Sequence, residues 1–430
     1  LSNDPDLFER LIDSVAPSIL GYHEEKLAIL LQLFAGVPKE LPDGSGIGGE
    51  IHTLLVGDPG TAKSALGDAA RRLSPNGRRF LGTGDEGSAV GAADAVDSSR
   101  PLTAASWGPG ADENDGPVPE FLFVDDLGER SGEDQEALLR IMEGRGASKN
   151  RSDALSGAGP SVLGVATPRF GRFDAYEPIG TQIDLESDLL SQFDLVFTVT
   201  DSPDEAADLE LADHILETNY AGELRTHRSN LRVSHISRAE VDDAVDAIAP
   251  AIEPDLLRDY ITFARQYCYP TLTEEAKAAV REFYVSLRQR GRGDDAPVPV
   301  TARKLESLVR LAEASARIRL SDTVTAEDAE RAIDLVRSSL RDVGIDAETG
   351  EFDADVVQVG LSKTQRDRIK NVKGIIRELA TEHEGGAPVE EVFDWSEQVG
   401  MDRSQVERAI QRLRERGEVY EPSDGRFRVA

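Results

Sequence analysis

Residues 57–64 have the types and spacing of a loop that binds phosphate. In chain order they are Gly57, Asp58, Pro59, Gly60, Thr61, Ala62, Lys63 and Ser64. They follow the apolar run Ile51–Val56 and precede a helical pattern. In this setting backbone N–H groups surround phosphate oxygens, the lysine reaches the terminal phosphates and the serine hydroxyl binds Mg²⁺. A chance glycine-rich turn is the alternative, and the order of strand, loop and helix argues against it. The general pattern has glycine before the lysine, where Ala62 stands here.

Two adjacent carboxylates farther along the chain supply the acidic part of such a site. The apolar run Phe121–Val124 ends in Asp125 and Asp126. We expect Asp125 to hold Mg²⁺ through water and Asp126 to orient an attacking water. Paired aspartates at a strand end are often only a turn or a helix cap, but their position after a phosphate loop favours the metal role.

Short apolar runs alternate with longer helical stretches between residues 51 and 200, which predicts a parallel α/β sheet beneath these loops. The runs are Ile51–Val56, Phe121–Asp125, Ser161–Ala166 and Leu195–Thr200. Two helices are predicted within 5–36, a turn-rich stretch over 40–50, a helix over 203–219 and an irregular polar stretch over 220–250. Three or four more helices are predicted over 254–341, followed by an acidic linker over 343–365.

The charge balance of the 430-residue chain is unusual. It carries 80 acidic and 48 basic residues, a net charge of −32, and only 9 of the 48 basic residues are lysine. Acidic excess with arginine in place of lysine resembles proteins of salt-accumulating halophiles, where a Debye length of about 3 Å at molar salt suppresses self-repulsion. An ordinary acidic protein is the alternative. In the halophile interpretation, net charge no longer argues against a nucleic-acid partner.

Composition also predicts the cellular location of the protein. A hydrophobic fraction of 39% is typical of a folded globular protein, and its longest apolar runs are too short to cross a membrane. The single Cys268 rules out an internal disulfide framework. We therefore expect a cytoplasmic protein without membrane contact. Because residue 1 is leucine, we also expect the natural chain to begin upstream.

Several separated segments together resemble one family, the minichromosome maintenance (MCM) helicases of the AAA+ class. The segments are Ser18–Gly36, the phosphate loop with its alanine, Ser161–Asp174 (SVLGVATPRFGRFD), Ile183–Phe197 (IDLESDLLSQFDLVF), Leu209–Leu216 and Val300–Ser321 (VTARKLESLVRLAEASARIRLS). The resemblance covers most of residues 1–365, and residues 366–430 resemble a winged helix. The chain is similar to the C-terminal motor portion of the family.

The resemblance implies an α/β fold, namely an AAA+ P-loop core with a helical lid and a C-terminal winged helix. It divides the chain into a core with two N-terminal helices (1–220), a linker and lid (221–342), a linker (343–365) and the winged helix (366–430). It also implies ATP and Mg²⁺ bound between subunits of a ring of six, and a DNA helicase activity in replication. By position Arg303 is the sensor 2 arginine. The resemblance implies that it reaches the γ-phosphate of ATP bound by a neighbouring subunit.

Three positions depart from the family where hydrolysis is concerned. Asp126 stands in place of glutamate, Thr167 in place of the sensor 1 asparagine, and Gln192 in place of the arginine finger. A missing finger is worth about 10³–10⁵ in the rate of phosphoryl transfer. The sequence thus leaves two interpretations open, an active motor or a degenerate paralogue that binds ATP, joins or regulates a ring and hydrolyses little. Arg169 or Arg172 is a possible substitute for the finger.

Cations near position 150 form the predicted DNA contact. Gly144–Pro160 corresponds to the family's pre-sensor hairpin and carries Arg145, Lys149 and Arg151, although a solvated hairpin tip would look the same. The second hairpin of the family falls in 90–118, where Arg100 is the one cation. In the winged helix, Met401–Arg416 occupies the recognition-helix position, which binds either DNA phosphates or a protein partner.

Overall fold

The computed structural model describes two compact units, Leu1–Asp353 and Ala354–Ala430. In the first unit it describes residues 1–80 except 3, 119–143, 159–200 except 170 and 172–181, 205–230, 237–290 except 247, and 302–342. In the second it describes 375–377, 379–380, 383, 386–398, 406, 410, 414, 419–423 and 426–429. The predicted DNA contacts Arg145, Lys149 and Arg151, and also Arg100 and Arg172, lie outside these residues.

Two helices and a small ribbon precede the central sheet. They are α1 (Leu7–Ser14), α2 (His23–Phe34), β1 (Lys39–Glu40) and β2 (Gly46–Ile47). The two strands pair antiparallel, with Lys39 opposite Ile47, so part of the stretch predicted as turn-rich is a short hairpin. The two predicted N-terminal helices are present, and the chain between them includes Ala16 and Tyr22 with positive φ.

The centre of the first unit is a parallel sheet of five strands in the order β4-β5-β6-β3-β7. The elements of this α/β part are β3 (Thr53–Gly57), α3 (Lys63–Leu73), β4 (Gly77–Arg79), β5 (Phe121–Val124), α4 (Gly132–Met142), β6 (Ser161–Ala166), α5 (Ser187–Leu190) and β7 (Leu195–Val199). Consecutive residues such as Leu54, Leu55 and Val56 are fully buried, as expected for strands covered on both faces. The predicted parallel α/β sheet is confirmed. The sequence did not reveal β4, because its short Gly-Arg-Arg segment has no apolar side chain.

The prediction that residues 220–250 are irregular is wrong. A helix α6 (Glu205–Asn230) runs well past residue 219, and α7 (Arg238–Asp246) follows it. Few of their side chains are buried, among them Ala221, Leu224 and Val241. A helix that is polar around most of its circumference gives little apolar periodicity, so the pattern did not predict these helices.

The lid consists of four helices and a pair of two-residue strands. They are α8 (Pro254–Tyr267), β8 (Thr271–Leu272), α9 (Glu274–Arg290), α10 (Ala302–Ile318), β9 (Thr323–Val324) and α11 (Ala326–Asp342). Along α11 the buried residues Ala329, Ala332, Ile333 and Val336 recur at helical spacing and form one apolar face. The predicted helices of 254–341 are confirmed, and their buried residues belong to the same hydrophobic core as the sheet.

Polar contacts fix the lid to the sheet at the outer strand β7. The Ser339 hydroxyl accepts from the Val196 N–H at 2.8 Å and donates to the Val196 carbonyl at 3.0 Å. The Thr198 N–H donates to the Asp342 carboxylate at 3.2 Å. The last turn of α11 therefore satisfies backbone groups of β7 on the side where no strand of the sheet pairs with it.

A buried arginine of the lid caps the C-terminus of α2. The Arg317 guanidinium donates to the carbonyl oxygens of Phe34, Ala35 and Gly36 at 3.1, 3.1 and 2.8 Å. Carbonyls in the last turn of a helix have no partner within the helix, and a cation there also interacts favourably with the helix dipole. Arg317 thus joins the lid to the N-terminal helices.

The second unit contains β10 (Ala387–Pro388), α12 (Val389–Gln398), β11 (Val419–Ser423) and β12 (Arg426–Val429). Its strands form an antiparallel sheet in the order β10-β12-β11. Leu379, Val392 and Phe393 are buried in its core, and Val389 packs against this cluster. The predicted recognition helix Met401–Arg416 is described only at Val406, Ile410 and Arg414; the first two are buried, and the Arg414 guanidinium lies 5.9 Å from the Phe427 ring centre.

Candidate nucleotide site

The phosphate loop connects the end of β3 to the start of α3 at the carboxyl edge of the sheet. Gly60 has φ +85, a conformation that glycine adopts readily. Ala62 precedes the helix with φ 58, where an L-residue carries a steric cost, which explains why the general pattern has glycine at this position. Below the loop, a Cβ on Gly67 of α3 would lie 2.1 Å from the Phe123 ring. The glycine therefore allows α3 to approach β5 closely.

Lys63 is folded back onto its own loop. Its ammonium group donates to the Asp58 carbonyl at 2.5 Å and to the Thr61 hydroxyl at 3.0 Å, and the Thr61 hydroxyl donates to the same carbonyl at 2.8 Å. Burial lowers the pKa of Lys63, against the opposing effect of Asp58 and two further carboxylates. The Tyr22 hydroxyl donates to the Thr61 carbonyl at 3.0 Å, so the turn before α2 supports the loop.

Ser64 and Asp125 lie side by side at the carboxyl edge of the sheet. The Ser64 hydroxyl donates to one carboxylate oxygen of Asp125 at 2.8 Å, and the Arg79 guanidinium lies 2.7 Å from the other. Arg130 donates to the Asp125 backbone carbonyl at 2.9 Å. Asp125 is only 7% exposed, so the positive charge of Arg79 balances a carboxylate that is largely removed from water.

The remaining predicted residues of this edge follow neighbouring strands. Asp126 has φ 49 and an exposed side chain next to Asp125. Thr167 directly follows β6 and is half-buried. Because β6 lies between β5 and β3, and all three are parallel, Thr167 stands between the aspartates and the phosphate loop.

The donor groups at this edge fit a nucleotide and a hard divalent cation. Ser64 and Asp125 present oxygen atoms, the type of ligand that Mg²⁺ prefers. Gly60, Thr61 and Ala62 lead into α3, a helix of 11 residues that begins at Lys63, and the N–H groups at a helix N-terminus attract phosphate. The positively charged Arg79 guanidinium contacts the Asp125 carboxylate oxygen that Ser64 does not contact.

Gln192 and Arg303 lie at the opposite edge of the sheet. Gln192 comes three residues before Leu195, which pairs with Thr53 at the start of β3, whereas the phosphate loop follows Gly57 at its end. Five residues of strand span about 13 Å, so both residues are far from the phosphate loop of their own chain. The Arg303 guanidinium donates to the Gln192 carbonyl at 3.0 Å.

A buried ionic network holds these two residues in place. The Asp194 carboxylate accepts from the Arg310 guanidinium at 2.8 Å and from the backbone N–H of His52 at 2.9 Å, and the Asp194 carbonyl accepts from Lys304 at 2.7 Å. Burial would raise the pKa of Asp194, but Arg310 and His52 outweigh that effect and hold it below its usual value. Burial lowers the pKa of His52 to about 3, so its ring is neutral and its Nδ1 accepts from the Val162 N–H at 3.1 Å.

The sequence did not point to Arg79, Arg130 or the Asp194 network. Arg79 belongs to the unrecognised strand β4, and Arg130 follows a short 3₁₀ turn at Leu127–Glu129. Both act through contacts between segments that are distant along the chain. An isolated arginine among 39 gives no signal of such a role. The pair Arg169 and Asp184, 2.5 Å apart, is exposed at the carboxyl edge.

The sheet order, the phosphate loop after β3, the aspartates after β5 and the helical lid define a P-loop fold of the AAA+ class. Three family models match the chain, the MCM P-loop domain over residues 1–219, the MCM AAA-lid domain over 255–340 and the MCM protein C-terminal winged helix-turn-helix domain over 363–430. The chain belongs to the MCM family.

Individual relatives agree with this assignment. The chain is 35% identical to the minichromosome maintenance protein MCM of Saccharolobus solfataricus over 98% of its own length and 57% of that protein. It is 31% identical to an uncharacterized MCM-type protein of Methanocaldococcus jannaschii, over 99% and 56% of the two chains. It is 32% identical to DNA replication licensing factor MCM4 of Arabidopsis thaliana, over 89% and 43%. The chain thus spans roughly half the length of these relatives.

Among the residues that the structure describes, no helix is both long enough and apolar enough to cross a bilayer.

Proposed function

We propose that this chain is the ATP-driven motor portion of a ring-forming MCM DNA helicase that acts in replication. The observation that carries the proposal is the arrangement of two half-sites on one sheet. Lys63, Ser64 and Asp125 gather at the carboxyl edge, and Arg303 is held at the amino edge. The names of its relatives, which include a minichromosome maintenance protein and a DNA replication licensing factor, support the same role.

In this proposal the carboxyl edge binds the nucleotide. Lys63 exchanges the Asp58 carbonyl for phosphate oxygens, and the backbone after Gly60 surrounds them. Ser64 and Asp125 hold Mg²⁺, which neutralises phosphate charge when it is bound. Asp126 orients the attacking water, and Thr167 stands beside it in the sensor 1 position.

The amino edge serves a neighbouring subunit. Arg303 cannot reach its own phosphate loop across the length of β3, so a contact with nucleotide requires a second chain. We propose a ring, by family resemblance a hexamer, in which Arg303 faces the γ-phosphate bound by the next subunit. Lys304 and Arg310 of α10 both bond to Asp194, which supports a fixed position for the helix that carries Arg303.

A second function, a subunit that binds ATP and hydrolyses little, is favoured by one specific observation. The Gln192 side chain is only 8% exposed, and its amide nitrogen donates to the Asp188 carbonyl of its own chain at 3.4 Å. It supplies no charge to a neighbour. With Asp126 and Thr167 also departing from the family, binding would be retained while turnover falls.

Two measurements separate the two functions. Binding of a fluorescent ATP analogue in molar KCl tests the site, and Lys63→Ala should abolish it. Steady-state ATP hydrolysis with and without DNA then tests turnover. Fast, DNA-stimulated hydrolysis indicates the motor, whereas tight binding with negligible hydrolysis indicates the degenerate subunit. Unchanged analogue binding in Lys63→Ala contradicts both.

We further propose that Arg145, Lys149 and Arg151 contact DNA. Lys149→Ala and Arg151→Ala should each weaken binding of a single-stranded oligonucleotide about equally for all sequences, because phosphate contacts carry no sequence information. Arg288→Ala, an exposed arginine on the lid helix α9, is the control. Equal affinity for DNA in all three variants would remove the hairpin from the proposed interface.

A further inference from the structure

The C-terminal segment of the chain differs in charge from the rest. Residues 366–430 contain 12 basic and 14 acidic side chains, whereas residues 1–365 contain 36 and 66. The net charge is therefore −2 in the C-terminal segment and −30 in the remainder. A strongly negative surface repels polyanions, and this repulsion is nearly absent from the C-terminal segment. It is thus the part of the chain best suited to bind a polyanion.

The sheet of this second unit has one face in the core and one face outside it. Phe427 of β12 and Val419 of β11 are buried and belong to the core. Side chains alternate between the two faces along a strand, so the neighbours of these residues lie on the other face. Arg426 and Arg428 flank Phe427, and Tyr420 follows Val419. We call the face that carries Tyr420, Arg426 and Arg428 the outer sheet face.

Both arginines of the outer sheet face keep their positive charge uncompensated. The Arg428 side chain is exposed, and within the described part of the chain no hydrogen bond or ion pair holds it. Arg426 is half-buried and donates to the backbone carbonyl of Gly386 at 3.1 Å, a contact that fixes its guanidinium without neutralising it. Two positions along a strand are about 7 Å apart, a spacing comparable with that of successive phosphates along an extended nucleic-acid strand.

An exposed aromatic ring lies beside Arg428. Tyr420 is directly opposite Arg428 in the pairing of β11 with β12, and the Cβ atoms of such a pair are about 4.5–5.5 Å apart. Tyr420 is 46% exposed. A ring in this position can stack on an unpaired base while the arginine contacts the neighbouring phosphate. The faces of the bases in a duplex are covered by their neighbours, so the pair fits a single strand better than a double helix.

We propose that the outer sheet face binds single-stranded DNA, with Tyr420 stacked on a base and with Arg426 and Arg428 at the phosphates. The choice of DNA over RNA rests on the proposed function. The contact is separate from the one proposed for residues 144–160, and it does not use the predicted recognition helix. Because stacking and phosphate contacts carry no base identity, the face binds DNA without sequence preference. It gives the second unit a DNA contact of its own.

The test measures binding of a fluorescent dT oligonucleotide to the full chain by anisotropy, over a range of KCl concentrations in which melting curves show every variant folded. Tyr420→Ala should weaken binding about fivefold or more, because it removes the stacked ring. Tyr420→Phe keeps the ring and should bind as the wild type does. Arg428→Gln should weaken binding several-fold. It should also reduce the slope of log affinity against log salt concentration by about 0.7, the value for one phosphate contact on a single strand.

The matched control is Arg288→Gln, which removes the same charge from an exposed position on α9 in the first unit and should leave the affinity and the salt slope unchanged. A second measurement locates the contact directly. A dT oligonucleotide that carries 5-bromodeoxyuridine should crosslink on irradiation to the peptide that contains Tyr420, as read by mass spectrometry.

Unchanged affinity in either Tyr420→Ala or Arg428→Gln would overturn the proposal, and so would an equal loss in Arg288→Gln. Tighter binding of a duplex of the same length, weakened by the same substitutions, would reassign the outer sheet face to double-stranded DNA and also overturn it. If DNA stimulates ATP hydrolysis by the wild type but these substitutions change no affinity, this proposal fails while the proposed motor function stands. The two failures are therefore distinguishable.

Discussion

Arg303 donates a hydrogen bond of 3.0 Å to the backbone carbonyl of Gln192. The residue at the sensor 2 position and the residue at the arginine-finger position are therefore neighbours, although 111 positions separate them in sequence. In the proposed ring they would face the same nucleotide from the same side. Of the two, only Arg303 brings a positive charge.

Gln192→Arg should therefore raise ATP hydrolysis. An arginine stabilises charge that develops in the transition state more than it stabilises bound ATP, so turnover should rise about tenfold or more while ATP affinity changes little. Asp126→Glu and Thr167→Asn should add to the gain. The measurement is steady-state hydrolysis at protein concentrations where assembly is seen by native mass spectrometry.

Gln192→Leu, similar in size and uncharged, is the matched control and should give no gain. A wild-type rate already equal to that of ordinary replicative helicases, unchanged by Gln192→Arg, would mean that another arginine, such as Arg169 or Arg172, acts as the finger.

Arg79→Gln should change how the protein responds to Mg²⁺. In the variant the buried Asp125 carboxylate loses its cation, so the melting temperature should fall in EDTA. Mg²⁺ with an ATP analogue should restore most of the loss, because the metal then balances the same carboxylate. The Mg²⁺ concentration needed for half-maximal analogue binding should also decrease several-fold, since no guanidinium competes for Asp125.

Arg140→Gln is the control for this experiment, because Arg140 forms an exposed ion pair with Glu136 on α4. A loss of melting temperature in Arg79→Gln that is the same with and without Mg²⁺ would show that Arg79 has only a structural role.

Salt should stabilise the fold strongly. At low ionic strength the excess acidic side chains, which give a net charge of −32, repel one another. Salt screens this repulsion, because the Debye length falls from about 10 Å at 0.1 M toward a few ångströms at 2 M. We expect the melting temperature to rise continuously between about 0.1 M and 2 M KCl. Sucrose at the same osmolarity controls for general exclusion effects. A flat salt profile would contradict the halophile interpretation.

Asp342→Asn should stabilise the protein at alkaline pH. Burial, with Glu25 and Glu24 nearby, raises the pKa of Asp342 to about 7 despite the hydrogen bond from Thr198. A carboxyl group whose folded pKa is raised contributes stability below its unfolded pKa of about 3.8, and this stability is lost as the pH rises through about 7. Asparagine cannot ionise and can still accept from the Thr198 N–H. The melting temperature of the variant should therefore exceed that of the wild type by a few degrees at pH 8 and by little at pH 4.

The pH profile of the wild type alone would not test this, because His52 contributes in the opposite direction. Its pKa of about 3 in the fold lies below the usual 6.5, so stability from His52 is lost as the pH falls through that interval. Asp334→Asn on the exposed side of the same helix is the control. An equal shift of melting temperature at pH 4 and pH 8 in Asp342→Asn would contradict the assignment.

Features determined by local sequence could be predicted here, and features determined by long-range contacts could not. The phosphate loop and the pairing of Ser64 with Asp125 follow from the order of strands, because parallel strands bring their carboxyl ends to one edge. The strand β4 and its Arg79 were missed because three residues without an apolar side chain have no periodicity. The predicted end of α6 at residue 219 falls short of its true end because few of its side chains are buried. No spacing in the sequence relates Asp194 to Arg310.

The placement of Ser339 and Asp342 against β7 has a consequence for dissecting the protein. The match to the P-loop domain ends at residue 219, which makes 1–219 an obvious fragment to express. In that fragment the N–H and carbonyl groups of Val196 and the N–H and hydroxyl groups of Thr198 would lose their partners in α11, and an open strand would remain. Open strands recruit one another, so the fragment should self-associate through β7 and elute as oligomers unrelated to any ring. The smallest fragment that keeps the native contacts of β7 is therefore the sheet together with its lid.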